Sequence, residues 1–149
     1  MLHHHKPFLV LFRVQVVDPK RHWWEFHHRR LVEEATLIPN GELKMSTVTV
    51  SIGHTVACSL VFLDQSGNPM LVTPVPDAPP TWSDTTPATG TLTPSPDGLT
   101  ANEVALAAGS DTISVSLAVG GVSFSASVGV VVSPAAQVLT SVQVATTVN

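Results

Sequence analysis

The sequence predicts an all-β sandwich of about seven short strands, and three observations lead to this fold class. Residues 111–132 alternate apolar with small polar side chains on either side of Gly120 and Gly121, as the two strands of a hairpin do. Clusters of Gly, Pro, Asn, Asp and Ser separate other alternating runs, which marks turns. A hairpin cannot bury its apolar face alone, so a second sheet should cover it.

The predicted strands follow one another from residue 47. Two glycines between alternating runs suit a tight turn in which φ is positive. Residues 71–80 are rich in proline and should form an edge or a loop. The predicted strands are 47–52, 54–63, 99–106 and the hairpin 111–132, and short strands are also expected within the loop 84–97. About seven strands in roughly 100 residues match the size and spacing of an immunoglobulin-like sandwich.

The apolar faces of these strands predict the hydrophobic core. Trp82 follows the second predicted strand and suits the core tryptophan of such sandwiches. Cys58 is the only cysteine, so no intrachain disulfide can form. The expected core residues are Val50, Leu60, Phe62, Trp82, Ile113, Val115, Leu117, Phe124, Val128 and Val130.

The charged residues divide the chain after Lys44. All seven basic residues precede Met45, together with five acidic ones, whereas the remainder has six acidic residues and no Lys or Arg. This break predicts an N-terminal extension (1–44), an immunoglobulin-like domain (45–133) and a C-terminal extra strand or tail (134–149). Since residues 45–149 offer no cation to neutralise phosphate, we do not expect them to bind nucleic acid.

The extension allows more than one interpretation. Residues 8–17 are apolar, interrupted by Arg13 and Gln15, too short to span a bilayer and poor as a signal peptide. Asp18 and Pro19 could begin a helix that ends at about Thr36. Either Met45 is the native start and 1–44 is an upstream in-frame extension, or the segment is a genuine N-terminal arm. We expect 45–149 to fold without it, because that part holds all the predicted strands.

Residues 47–132 resemble a bacterial immunoglobulin-like domain, of the group found in intimin- and invasin-type adhesins and in many tailed-phage structural proteins. The resemblance rests on Phe62 to Pro69, on Trp82 with its neighbours, on Gly98 to Ala101, and on the segment from Ala108 to the closing strand. It implies that these segments form the end of strand B, strand C, a D–E turn and the F–G hairpin. The family has no common catalytic residues to carry over.

Few residues suggest chemistry, and we expect no catalytic, cofactor or metal site. His3 to His5 and His27-His28 lack the spaced Cys or carboxylate partners of a metal site. Cys58 and His54 lie about 13 Å apart if both are on one strand, so Cys58 should be a small core residue. Calcium ligation by the loop acids is the alternative to solvated turn positions. Those acids are Asp64, Asp77, Asp84, Asp97 and Asp111.

These observations predict a non-enzymatic structural or display domain. We expect a small virion protein that decorates the capsid or tail of a tailed phage and touches the host surface weakly, because virion assembly needs neither a secretion signal nor an anchor. The alternative is an adhesin or carbohydrate-binding module of a secreted bacterial protein, located outside the cell or on its surface. The partners would be virion proteins, copies of this chain or cell-surface polysaccharide, without membrane insertion.

A further apolar stripe lies beyond the predicted domain. Val138, Val142, Val144 and Val148 form this stripe, with Leu139, Ser141, Gln143, Ala145 and Thr147 opposite, and a strand with unpaired backbone groups is a template for pairing. We expect residues 138–148 to add to a neighbouring copy, a virion partner or residues 1–44. The alternative is a frayed tail, which is common at chain ends.

Overall fold

The computed structural model describes residues 8–18 and 29–135, with side chains from residue 33 in the second range. The described residues form strands, turns and loops, without helices. Nine strands are present in this part of the chain: β1 (Leu9–Val17), β2 (Arg29–Thr36), β3 (Glu42–Ser51), β4 (Thr55–Leu63), β5 (Thr81–Asp84), β6 (Gly90–Pro94), β7 (Thr100–Ala105), β8 (Gly109–Val119) and β9 (Val122–Ser133).

The nine strands form two sheets. The order is β2-β1-β4-β7-β6 in the five-stranded sheet and β3-β9-β8-β5 in the four-stranded sheet. All neighbours are antiparallel except β3 and β9, which are parallel. The orders β1-β4-β7-β6 and β5-β8-β9 correspond to ABED and CFG of a constant-type immunoglobulin domain. The predicted immunoglobulin-like β-sandwich is therefore confirmed, with β2 added beyond β1 and β3 added beyond β9.

The core lies between the sheets, and all ten residues expected there are buried. Trp82 on β5 is 8% exposed, and its indole N–H donates a 2.7 Å hydrogen bond to the carbonyl of Gly98. Its ring centroid lies 6.0 Å from that of Phe12, a separation typical of tilted aromatic pairs. The sheets thus meet at this pair, because Phe12 belongs to β1 in the opposite sheet.

The predicted hairpin is also confirmed. Gly120 (φ 59°) and Gly121 (φ 78°) both have positive φ, as a two-residue turn of type I′ requires, and Val119 pairs with Val122 across it. The serines of both strands point away from the core, so that Ser114 lies opposite Ser127 and Ser116 opposite Ser125. The outer face of this sheet is therefore lined by small polar side chains.

The N-terminal segment differs from the predicted domain boundary. β1 lies between β2 and β4 and pairs with β4 along its whole length. Val10, Phe12 and Val14 are completely buried, whereas Arg13 points outward and its Nε lies 2.7 Å from Glu34 Oε2 on β2. The sandwich therefore begins at β1, and the expectation that residues 45–149 hold all its strands is wrong.

Two further predictions for this region are corrected. Residues 29–36 were expected in the last turns of a helix, but they form β2. They pair with β1, and the register of this pairing shifts between Val14 and Gln15. β3 begins at Glu42 and crosses the charge break without interruption, pairing Lys44 with Ser127 and Met45 with Val128. The composition break after Lys44 therefore does not coincide with a structural boundary. Translation from Met45 stays a prediction.

The other strands agree with the sequence to within a few residues. β4, β5, β7, β8 and β9 lie where strands were expected, and β6 is the short strand in the segment 84–97. Residues 71–80 form a loop, as predicted from their prolines. The proposed pairing strand at 138–148 and the histidine groups at 3–5 and 27–28 lie outside the described residues.

Candidate functional site

Three carboxylates from both sheets meet inside the sandwich. Glu103 comes from β7 in the five-stranded sheet, and Asp84 and Asp111 come from β5 and β8 in the four-stranded sheet. One oxygen from each carboxylate lies within 4.8 Å of the other two. We call these three residues the acidic cluster. Among the described residues, it is the group of at least three His, Cys, Asp or Glu side chains whose ligand atoms lie close enough together to hold a metal ion.

Glu103 is the most unusual member of the acidic cluster. It is completely buried, and neither carboxylate oxygen has a hydrogen-bond partner among the described residues. Gly90 on the neighbouring strand β6 leaves room for it, because a Cβ at Gly90 would lie only 2.5 Å from Glu103 Oε1. Burial, followed by the charges of Asp111 and Asp84, raises the pKa of Glu103 to about 7. A buried carboxyl group without a donor is costly to ionise.

Asp111 is held by hydrogen bonds. Its Oδ1 accepts from the backbone N–H of Thr85 (2.9 Å), Thr86 (2.8 Å) and Thr112 (2.6 Å) and from the Thr85 hydroxyl (2.8 Å). Oδ2 accepts a longer bond, 3.3 Å, from the Thr89 hydroxyl. Burial alone would raise the pKa of Asp111, but these hydrogen bonds outweigh it and hold the pKa below its usual value. Asp111 thus stays ionised and fixes the loop between β5 and β6.

The acidic cluster borders a cleft between β5 and β6. This cleft has a volume of about 340 Å³, and Trp82, Asp84, Gly90 and Leu92 are among the residues that line it. Asp84 is half-buried at its wall, and Glu103 packs directly against Gly90. Asp84 is therefore the member of the acidic cluster that lies next to the cleft, whereas Glu103 and Asp111 are buried behind it.

The five acids singled out in the sequence take different roles. Asp64 and Asp97 each accept backbone hydrogen bonds within a turn, and the carboxylate of Asp77 accepts from Gly120 and Gly121 in the hairpin turn. These three are turn residues, as expected. For Asp84 and Asp111 that expectation is wrong, since Asp84 is half-buried at the end of β5 and Asp111 is 4% exposed and lies in β8.

No sequence pattern points to Glu103 as part of a site. In β7 the inward positions are Ala101, Glu103 and Ala105, while Val104 is 39% exposed. An alternating pattern normally places Val inward and Glu outward, and the two alanines fit either face. The one feature that points to Glu103 is Gly90 on the adjacent strand β6, because a buried Glu needs room and the absence of a side chain at Gly90 provides it.

Cys58 lies in the hydrophobic core. It is 2% exposed, and burial, followed by the charge of Glu103, raises the pKa of its thiol to about 12. The nearby histidine of the sequence, His54, places its Nε2 3.6 Å from Asp18 Oδ1 instead. The interpretation of Cys58 as a small core residue is confirmed, because its side chain is buried among the core residues.

A second notable surface is the apolar loop, residues 71–80. Leu71 is fully exposed, and Val72 and Val75 are 82% and 84% exposed. The loop is anchored at its far end, where the Asp77 N–H donates to the Ala118 carbonyl (2.8 Å) and the Asp77 carboxylate binds the hairpin turn. Three large aliphatic side chains within five residues are thus presented to solvent next to the hairpin.

The apolar loop also borders a broader surface cleft of about 680 Å³. Asn40, Asp77, Pro79, Ser116 and Ser125 are among the residues that line this cleft. It therefore combines amide, carboxylate and hydroxyl groups with apolar surface.

Comparisons with known proteins add no relative: no protein-family model matches this chain, and no curated protein matches it either. Within the described residues, no helix is long and apolar enough to cross a membrane.

Proposed function

We propose that this chain is a non-enzymatic structural or display module, and specifically a decoration protein of a tailed-phage virion. The observation that carries the proposal is the apolar loop, with Leu71, Val72 and Val75 almost wholly exposed. Contiguous exposed apolar side chains mark surfaces that bind a partner protein. The capsid or tail assignment rests on the sequence resemblance to phage structural proteins, which is an argument by analogy.

The rest of the sandwich suits such a role. The sheets are closed around a continuous core, and the outer face of β8 and β9 carries small hydroxyl side chains. Such a face tolerates close approach by another surface, while the apolar loop supplies the contact energy. Strand addition by residues 138–148, which lie outside the described residues, would be a second contact with the particle.

The experiment is mass spectrometry of purified particles from cells that express the chain. The proposal expects the chain to be present and to be depleted when the apolar loop carries Leu71→Ser with Val72→Ser. Leu106→Ser is the matched control, because Leu106 is also an exposed aliphatic residue (54%) in another loop. Deletion of 138–149 tests the tail in the same assay. Absence of the wild-type chain from the particles would refute the proposal.

The alternative function is carbohydrate binding by an adhesin-type module. The 680 Å³ cleft favours it, because sugars bind to clefts that combine hydrogen-bonding groups with apolar surface. Binding of the purified chain to host polysaccharide, abolished by Asn40→Ala and retained by the Leu71→Ser and Val72→Ser chain, would support this alternative over particle decoration.

A further inference from the structure

We propose that Glu103, Asp84 and Asp111 bind one divalent cation of the calcium type between the two sheets. The acidic cluster by itself would not justify a site, because acidic groups often lie together on protein surfaces without a ligand. Here the argument rests on the buried member, on the fixed orientation of Asp111 and on the position of Asp84 at the cleft.

The first step concerns Glu103. Its carboxylate is completely buried, faces the other two carboxylates and has no hydrogen-bond donor among the described residues. Buried polar groups in proteins are nearly always paired with a donor, an ion or ordered water. A bare carboxylate aimed at two others therefore lacks a positively charged partner, and a cation at this point would provide one.

The second step concerns Asp111. Four donors occupy its Oδ1, whereas its Oδ2 has the single long contact with Thr89. The four bonds fix the orientation of the carboxylate before any ligand binds. Ligating carboxylates in metal sites are commonly held by such supporting hydrogen bonds. Oδ2 is consequently a preorganised ligand.

The third step concerns access and the remaining ligands. Asp84 is half-buried and lines the cleft between β5 and β6, so it is the side of the cluster that lies next to solvent. Calcium takes six to eight oxygen ligands, often including water. The three carboxylates supply part of that number, and water bound on the Asp84 side of the cation would supply more.

The type of cation follows from the ligands and from the charge. The cluster contains carboxylate oxygens only, which are the ligands of hard cations, whereas zinc and copper prefer nitrogen and sulfur. Magnesium requires a nearly regular octahedron of ligands, whereas calcium tolerates irregular geometry. The three carboxylates come from three strands in two sheets, so an irregular arrangement, and hence calcium, is favoured. No Lys or Arg follows Lys44 in the sequence, so no basic side chain from the same part of the chain can substitute for the ion.

Calorimetric titration of the chelator-treated full chain with calcium chloride tests the proposal. We expect one calcium per chain, and a rise in melting temperature of the wild-type protein on adding calcium. Glu103→Gln should weaken binding by at least about tenfold, since even loss of a supporting residue around a metal costs that much. Glu42→Gln is the matched control, because Glu42 lies at an exposed position of β3, and it should bind like wild type.

Terbium provides a second readout on the wild-type chain, since it occupies calcium sites and Trp82 lines the same cleft. Terbium emission that calcium displaces, and that Asp84→Asn abolishes, supports the site even if Glu103→Gln fails to fold. Wild-type protein that neither binds calcium nor gains stability from it would overturn the proposal. Equal calcium binding by wild type, Glu103→Gln and Asp84→Asn would also overturn it, since the ion would then lie elsewhere.

Discussion

At the scale of single residues, the molecule combines one well-satisfied tryptophan with one unsatisfied glutamate. The Trp82 ring is buried, and its only polar atom is hydrogen-bonded to Gly98. Glu103 is equally inaccessible, but its oxygens have no partner among the described residues. The sequence predicted the first, because a lone large aromatic next to a strand favours the core. It could not predict the second, because local alternation favours Val104 for the inward position.

The burial of Trp82 leads to a prediction for stability. Trp82→Ala should lower the free energy of unfolding by about 3–5 kcal/mol, the usual cost of removing a large buried aromatic side chain. Trp82→Phe should cost less, since it retains the contact with Phe12 and loses chiefly the hydrogen bond to Gly98. Urea denaturation measures both changes. Wild-type stability of Trp82→Ala would show that the two sheets do not pack through this residue.

The raised pKa of Glu103 leads to a prediction for pH dependence. The folded chain keeps the Glu103 proton up to a pKa of about 7, whereas the usual value is 4.5. Between these values the folded state binds more protons than the unfolded state, so stability falls as the pH rises from about 5 to 7. The loss is at most about 3–4 kcal/mol, because the shift from 4.5 to about 7 corresponds to about 1.4 kcal/mol per pKa unit.

Thermal unfolding with a chelator present, compared between wild type and Glu103→Gln from pH 5 to 8, measures this effect. Since Asp84, Asp111 and Cys58 face Glu103 in both proteins, the difference between the two curves isolates this carboxyl group. We expect the variant to be the more stable protein at pH 8, because an amide can donate to the neighbouring carboxylates. Curves that run parallel over the whole range would contradict the assignment.

At the scale of elements, β1 shows how a strand can be overlooked in a sequence. Arg13 and Gln15 interrupt an apolar run when it is considered as a continuous segment. In the sheet they occupy the outward positions, while Val10, Phe12 and Val14 form the buried face. Arg13 then lies opposite Glu34 of β2, an arrangement of opposite charges that stabilises neighbouring strands. The alternation was present in the sequence, but the composition break after Lys44 argued against its use.

The alternation of β1 can be tested with two neighbouring substitutions. Val10→Asp should unfold the protein or destabilise it severely, because Val10 is completely buried and a buried unpaired charge is costly. Leu9→Asp is the matched control, since Leu9 is 38% exposed, and its melting temperature should stay close to that of wild type. A similar loss in both variants would mean that the faces of β1 are not distinguished as described.

At the scale of the whole molecule, the sequence predicted the sandwich and its C-terminal two thirds, but not its N-terminal strands. The hairpin, Trp82 and the turn at Asp64 carry strong local signals, so their positions followed from the sequence. The acidic cluster depends on tertiary contacts, since pairing of β5 with β8 brings Asp84 near Asp111, and Glu103 joins them only because the two sheets pack face to face. That information is not local, and the cluster could not be predicted from spacing.

The position of β1 also reverses the expected behaviour of a shortened chain. A protein consisting of residues 45–149 should fail to fold or should be insoluble, because it lacks β1, Leu37 and the first residues of β3, and exposes the edge of β4. Circular dichroism and gel filtration of this fragment check the expectation. A soluble, cooperatively unfolding fragment would show instead that β1 is dispensable.

The parallel pairing of β3 with β9 has a mechanical consequence. Phe8, next to the start of β1, packs on Phe124 near the start of β9, whereas Ser133 at the end of β9 pairs with Ser51 at the end of β3. The first and last strands of the described sandwich therefore emerge at opposite poles. Tension applied between them runs along the strands and loads the hydrogen bonds of β1 with β4, and of β9 with its two neighbours, in shear. These bonds must yield together, so the sandwich is built to resist stretching along its long axis.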